Sequence, residues 1–478
     1  MSSHLETVEN KAHTYASSLV HLLGPEVVFV SEEERSAHSY DAWPVAAKWK
    51  MQGKRPYVPD VVVRPKNVAT IQKLVRFAVE NHIPITPWGL GSSVTGACLP
   101  MQQGITLDLS AMNRTLKIDE SNHMVTVEAG KRGSDLEQEL NARGFTLGNS
   151  PQSLDRSSVG GWLSTRATGQ FSSLYGGIEE LMVCFSVVLA SGEVISTPFA
   201  PRSAVGPDLR HIFVGAEGTM GIITEATLKI FPLPEERHFQ TIRSRSVPDG
   251  LKTMQAIMQS RLRPFLVRFY DEEESRHAMQ DPKFQQCAMF LGFEGPRAVV
   301  EAEYRLALDL AHGNGGVELG PEAVEAWMQR RFDFSTVENL LAKTGGLAET
   351  IEIAHFWSGI YPTYCDLKKA LAPYAKEVLG HFSHVYPQGT SLYIILLGEA
   401  QNDASAEKAI LTAWEKTMEI CARYHATISH HHGVGIVRLP YVAQELGTAK
   451  TVLEKVKNAL DPEAVLNPGK LALPMILK

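Results

Sequence analysis

Basic charge is in short supply in this chain: 53 Asp and Glu against 46 Lys and Arg give a formal net charge of −7. The Lys and Arg are spread without a stripe or aromatic interleaving, which excludes a nucleic-acid-binding surface of the usual kind. Long apolar runs are missing, so no stretch reaches the roughly 20 residues of a membrane-spanning helix. The opening MSSHLETVENKAH lacks the charged-then-apolar order of a secretory signal, and the closing Ile-Leu-Lys is not a peroxisomal address. Cysteines number only five (Cys98, Cys184, Cys287, Cys365, Cys421), odd and scattered with no C-x-x-C, as in a reducing compartment. A cytoplasmic protein is the expectation. There is no internal repeat, no low-complexity segment, no G-x-G-x-x-G and no Gly-Lys-Ser/Thr phosphate loop.

What is present is apolar content of 44% over 478 residues, enough for roughly two or three domains with real cores. Three small-residue stretches stand out. Pro87–Pro100 reads PWGLGSSVTGACLP, between two runs that read as buried strands. Its glycines and hydroxyls suit a turn of backbone N–H groups that cradles an anion such as a pyrophosphate. Residues 157–177 read SSVGGWLSTRATGQFSSLYGG, and 215–229 read GAEGTMGIITEATLK, a glycine-punctuated turn into an alternating strand. One such stretch alone is a surface loop. Three of them argue for an extended polar ligand.

In chain order, residues 1–58 carry helical spacing at Tyr15, Leu19, Leu22 and Leu23, then an aromatic-dotted passage through Tyr40, Trp43 and Trp49. A first module, 59–233, opens with the strand PDVVVRP and a helix capped by Asn67. Two short strands in LKIDESNHMVTVEAG, a helix in GSDLEQELNARG and a hairpin at SVVLASGEVIS follow. A second module, 234–428, has strands at LVRFY, CAMFLGFEG, TIEIAHFW and SLYIILLGE between long amphipathic stretches. This predicts an α+β chain, the second module being one sheet with helices on one side. A tail, 429–478, is helical from Tyr441 to Leu460 and ends in the turns of LDPEAVLNPGKL.

The order PDVVVRP, GLGSS, SVGGWLSTRATG, EGTMGIITEATLKI, HHHGVG and LNPGKL resembles the FAD-linked flavoproteins typified by vanillyl-alcohol oxidase and p-cresol methylhydroxylase. Within them, VGGWLSTRATG, PRSAVGPDLRH, EGTMGIITEATLKI, the arginine of LVRFYD, Tyr393 and SHHHGVG most resemble the alkylglycerone phosphate (alkyldihydroxyacetonephosphate) synthases. The resemblance implies a two-subdomain FAD-binding domain of the p-cresol methylhydroxylase type, an α/β cap over the flavin ring, a tail folding back onto the FAD domain, and a homodimer. It assigns Pro87, Gly89, Leu90, Gly91, Ser92, Ser93 and Gly96 to the FAD pyrophosphate. Ser158, Gly160, Gly161, Ser164, Thr165 and Gly169 would line its adenine-to-ribityl side. Glu217, Gly221 and Ile223 would form a third FAD segment, and Asn467 would approach the flavin from the tail. Covalent members carry histidine where this chain has Ser92, so the FAD is expected to be non-covalent.

The chemistry falls to His430, His431 and His432, expected at the end of a strand with His431 facing away from the other two. Neutral imidazole can take a hydroxyl proton, with His432 first and His431 second as base. Tyr393 and Arg268 complete the candidate catalytic set. Arg268 sits on an apolar strand, where an unpaired guanidinium is costly, and its planar fork suits a carboxylate, a phosphate or flavin carbonyls. His384, Tyr386, Trp357 and His355 are weaker candidates for the pocket wall. Metal-dependent 2-hydroxy-acid dehydrogenases of this superfamily carry two cap histidines seven residues apart, then Glu-His-Gly. Here those places read Tyr386, Tyr393 and His431, so no metal is expected. The expected activity is removal of a hydride from a carbon bearing a hydroxyl to flavin N5. Two alternatives stand beside it. One is synthase chemistry, exchanging the acyl group of acyl-dihydroxyacetone phosphate for a fatty alcohol through a flavin N5 adduct; the other is a flavin-binding electron-transfer protein.

Overall fold

The computed structural model describes residues 15–476, so the N-terminal stretch read above for a signal peptide and the last two residues lie outside it. In the first half, the all-apolar Val61–Val63 is buried on both faces, as a central parallel strand requires. It pairs in parallel with Ile105–Asp108, which pairs in parallel with Ile85–Trp88; Val28–Phe29 adds an antiparallel edge. Helix Val68–Glu80 covers this sheet, and its apolar stripe of Ile71, Leu74, Val75 and Ala78 is buried. It starts where the side chain of Asn67 accepts the Thr70 N–H at 3.0 Å. A second, antiparallel sheet runs Thr115–Asp119, Met124–Glu128, Ile222–Lys229, Met182–Val188, Val194–Ser196. The two sheets share one apolar core.

The second half is a seven-stranded antiparallel sheet in the order Val317–Glu318, Glu236–Ser244, Cys287–Gly295, Leu266–Tyr270, Glu377–Val385, Gly389–Glu399, Gly346–Phe356. Helices Val247–Gln259, Arg297–Gly313, Trp357–Leu371 and Asp403–Tyr424 pack one face into a large core. Three of the seven strands go beyond the four expected. Glu377–Val385 escapes a periodicity reading because Gly380, His381 and His384 interrupt its alternation. The opposite face is also covered, contrary to expectation: helix Glu322–Arg330 and Phe171 of the first half close over Leu266, Tyr270 and Phe290. Beside them the same face carries His381, paired with Tyr270, then Tyr393 and Glu352 in register across the next two strands.

Two further segments tie the halves together. Helix Pro44–Met51 belongs by contact to the second half: buried Lys48 donates to Leu341 O at 2.7 Å and to Asp403, and Trp49 donates to Glu407 at 2.9 Å. The tail returns to the first half, where Leu466 bridges Ile85 and Asn467 N donates to Ile85 O at 2.7 Å.

Candidate active site

Pro87 and Trp88 end strand Ile85–Trp88, and from Gly89 the Pro87–Pro100 stretch runs as an irregular loop toward the parallel strand Ile105–Asp108. From Gly89 through Val94 its backbone N–H groups donate to nothing else among the described residues, while the loop is half-buried. Unpaired backbone donors at that depth are costly unless an anion or water completes them. Gly91 holds φ at 70°, and a Cβ there would lie 2.5 Å from the Trp88 ring, so the turn requires glycine. The other stretches meet this one. A Cβ on Gly89 would stand 2.4 Å from Ser158 Oγ, and one on Gly433 would stand 2.6 Å from Glu217 Oε1 and 3.2 Å from Thr165 Cγ2.

Not every residue expected at the cofactor turns its side chain to that space. Residues 157–165 are not loop: Ser158 caps helix Val159–Thr165, accepting the Gly161 N–H. The Ser164 and Thr165 hydroxyls donate back to the Gly160 and Gly161 carbonyls, a common i−4 pattern. Gly160 packs on Ala129, and Gly169 lies against the Ser150 backbone. Gly221 packs on Val187, and Ile223 points into the core. Glu217 is buried and raised by that burial, and its carboxylate accepts the N–H groups of Val434 and Gly435. Asn467 donates its amide to Glu217 O at 2.6 Å, and buried Lys470 donates to Ala97 O and Leu99 O. Glu217, Asn467 and Lys470 therefore brace the glycine loop and the histidine segment from behind.

Residues 430–432 correct one expectation. They form a bend just after the isolated bridge of Thr427 to Ala354, not the end of a strand, and their rings do not alternate. The cause is Glu352, wholly buried on strand Gly346–Phe356. Its carboxylate accepts both His430 N and His432 N, together with Ser429 Oγ at 3.0 Å. It also pairs with Arg438 Nη2 at 3.0 Å, and Arg438, itself fully buried, reaches Gly433 O and stacks 4.6 Å from the Trp414 ring. Burial opposes the Glu352 charge, but Arg438 and the backbone N–H donors outweigh it and hold the carboxyl below its ordinary value.

This bend brings the three imidazoles and the cap phenols into one chain. Tyr393 Oη lies 2.5 Å from His431 Nε2, His431 Nδ1 lies 2.8 Å from His430 Nδ1, and His430 Nε2 lies 2.8 Å from Tyr386 Oη. Tyr393 is half-buried, whereas Tyr386 is 38% exposed. Burial lowers His430 and His431, and brings His432 down to about 4, so all three are neutral near pH 7. Burial likewise raises both phenols. His432 Nδ1 is buried without a hydrogen bond, 3.7 Å from Glu352 Oε1. Beside Tyr393, His381 stacks at 4.5 Å and shares its Nδ1 with Glu274 at 2.7 Å, while Arg268 approaches the same Nδ1 at 3.5 Å. Arg268 Nε and His381 Nε2 are buried and unpartnered. His384 approaches Tyr393 Oη with its Nε2 at 3.4 Å and shares its Nδ1 with Ser172 Oγ at 2.9 Å. Trp357 and His355 donate to or share with backbone carbonyls at the rim, Pro387 O and Tyr424 O.

Glu352, His381 and Glu274 were not anticipated. The signal for Glu352 was an acidic residue flanked by isoleucines on an apolar strand, the same anomaly that drew attention to Arg268.

Residues 59–198 match the FAD binding domain family, and residues 233–471 match the C-terminal domain of the FAD linked oxidases. The chain belongs to the FAD-linked oxidase family. It is 28% identical over 448 residues to alkyldihydroxyacetonephosphate synthase of Dictyostelium discoideum, across 86% of this chain and 73% of that one. It is 30% identical over 430 residues to the uncharacterized FAD-linked oxidoreductase YgcU of Escherichia coli (strain K12), across 87% and 89%. The solved structure of p-cresol methylhydroxylase with substrate bound shares the fold, with a TM-score of 0.82 at 19% identity over 98% of both chains. This chain is thus an FAD enzyme, and the unpaired N–H groups at Gly89–Val94 with the unpartnered Arg268 and His381 nitrogens fit that cofactor. No helix among the described residues is long and apolar enough to cross a membrane.

Proposed function

We propose that this enzyme oxidises a hydroxyl-bearing carbon of a small hydroxy acid or alcohol. FAD, non-covalently bound, would supply the two-electron acceptor. The Pro87–Gly96 loop would hold its pyrophosphate, with the helix start at Ser158 and Gly161 beside it. The observation that carries the reading is the Tyr393–His431–His430–Tyr386 chain. Oxidising an alcohol frees a hydroxyl proton inside a closed site, and that proton needs a base and a way out. As Tyr393 takes it, the phenol passes its own proton to His431 Nε2. His431 releases the Nδ1 proton to His430 Nδ1, His430 releases its Nε2 proton to Tyr386 Oη, and Tyr386, 38% exposed, gives its own hydroxyl proton to water. Each neutral imidazole has one N–H and one lone pair, so the chain can be polarised in either direction. His432, outside the chain, would anchor the substrate oxygen, and Arg268 would fix an acidic group.

The test is anaerobic mixing of the purified holoenzyme with 2-hydroxy acids, simple alcohols and acyl-dihydroxyacetone phosphate. Lasting loss of the oxidised flavin absorbance with a hydroxy acid or alcohol is expected. The similarity to the Dictyostelium synthase supports a second reading, exchange of an acyl group for a fatty alcohol without net oxidation. Fatty-acid release from acyl-dihydroxyacetone phosphate, with the flavin spectrum unchanged at the end, would establish that reading and overturn the first. We further propose a cytoplasmic homodimer, which sedimentation of the purified protein at twice the chain mass would support.

A further inference from the structure

A second polar cavity, of about 160 Å³, lies between the two halves of the molecule. Its lining includes Asn149, Ser150, Tyr175 and Glu137 from the first half, and Arg237, Glu294 and Arg331 from the second; the Glu137 carboxylate is taken up by Thr146 Oγ1 and Leu147 N. None of the Gly89–Gly96 loop lines it, and neither do the three histidines. Arg237 and Tyr175 both bond to Glu294, so those groups are satisfied. Arg331 is different. Its guanidinium lies between the Phe332 and Phe171 rings, at 4.2 and 5.5 Å, and its one hydrogen bond among the described residues goes to Met328 O. Its Nε is buried and unpartnered, and no carboxylate pairs with it. Burial, with Arg237 nearby, lowers it to about 10 against the opposing charge of Glu137.

A guanidinium set between aromatic rings with no hydrogen-bonded carboxylate keeps most of its donors unmet, which is costly even with the Glu137 charge nearby. The opposite wall repeats the deficit. Asn149 is 2% exposed with both amide atoms unpartnered, and the hydroxyl of Ser150, 6% exposed, has no partner. Cation, amide and hydroxyl converge on one small volume, the donor set that recognises a carboxylate or a phosphate monoester. The cavity is close to the reaction centre, because Tyr175 ends the four-residue helix that Ser172 begins, and Ser172 bonds to His384.

We infer that Arg331, Asn149 and Ser150 form an oxyanion-binding site, separate from the cofactor loop, for the carboxylate or phosphate of a small ligand. This goes beyond the proposed reaction and does not depend on which chemistry the enzyme performs. The test is calorimetric and thermal-shift titration of the FAD-loaded enzyme with inorganic phosphate, dihydroxyacetone phosphate and D-lactate. Saturable binding of at least one probe is expected; a phosphate probe alone or the hydroxy acid alone identifies the source of the oxyanion. Arg331→Met, which keeps the length of the side chain and removes the charge, should weaken that binding at least tenfold, with flavin absorbance per chain unchanged. Should Arg331→Met not fold, Asn149→Asp places a negative charge in the same cavity and should abolish the response. Undiminished binding in the variant that folds, no saturation with any probe, or binding only after FAD is stripped would each overturn the inference.

Discussion

The glycine loop and the histidine bend are built on opposite principles. At Gly89–Gly96 the functional groups are backbone N–H donors, and the side chains matter chiefly by being small. At His430–His432 the functional groups are side chains, and the backbone beneath them is shaped by one buried ion pair, Glu352 with Arg438. The first site needs geometry that neighbouring residues can provide. The second needs charge compensation from a strand far earlier in the chain, and it collapses if that charge is removed. One should therefore be sensitive to added volume, the other to lost charge.

The largest effect should come from Glu352→Ala. It leaves Arg438 buried without its carboxylate, and breaking such a pair costs about 3–5 kcal/mol. Urea unfolding should show that loss, and the double variant Glu352→Ala/Arg438→Met should recover more than half of it. If the single variant is as stable as the parent, the ion pair does not shape the bend.

A smaller effect, confined to the other site, is expected from Gly91→Ala. Holding a residue with a Cβ at positive φ costs about 1–2 kcal/mol, or roughly a 5- to 30-fold loss of FAD affinity if the bound loop carries the strain. Flavin-fluorescence titration of the stripped protein measures it, and unaltered affinity would remove the loop from the cofactor site.

The pH dependence separates the two regions further. Burial holds His381, His384, His430 and His431 below their ordinary values and His432 at about 4. A histidine lowered on folding contributes stability that is complete above the unfolded value, ~6.5. That stability is lost as the pH falls toward the folded value, at up to about 1.4 kcal/mol per pH unit for each group. Glu274, Glu349 and Asp41, raised by burial to about 7, act in the opposite sense between that value and their unfolded values. Glu217 and Asp271 are raised as well, so the two sets oppose each other between ~6.5 and ~4.5, and the urea midpoint should fall steeply only below ~4.5, where the carboxylates no longer offset the histidines. His431→Asn should flatten this acid limb; an identical limb would mean that the imidazoles titrate normally. The least effect is expected from Tyr386→Phe, at the exposed end of the chain where water can substitute. Flavin reduction by substrate should slow only a few-fold, and a loss as large as that from removing Tyr393 would place the chemistry at Tyr386 instead.

The same contrast explains what could be read from the sequence. Asn67 as a cap, Val61–Val63 as a buried strand and the three glycine stretches are statements about neighbours, and local composition carries them. The α+β architecture followed from those pieces. The histidine bend did not, because His430 N and His432 N turn toward a carboxylate 78 and 80 residues away, and no window around HHHGVG contains it. Strand Glu377–Val385 was hidden for a related reason: His381 and His384 serve the site, and they interrupt the apolar alternation that marks a strand. Glu217 and Asn467 were noticed as residues, but their part in bracing two loops depends on contacts across the fold.

The account rests on Tyr393 and His431 receiving a substrate proton beside the bound flavin. The direct measurement is the anaerobic rate of flavin bleaching by the best substrate, compared between the parent and Tyr393→Phe at equal FAD content. A fall of about 100- to 10,000-fold, the usual weight of a positioned acid–base group, is the predicted result. Bleaching at the parental rate in Tyr393→Phe would contradict it.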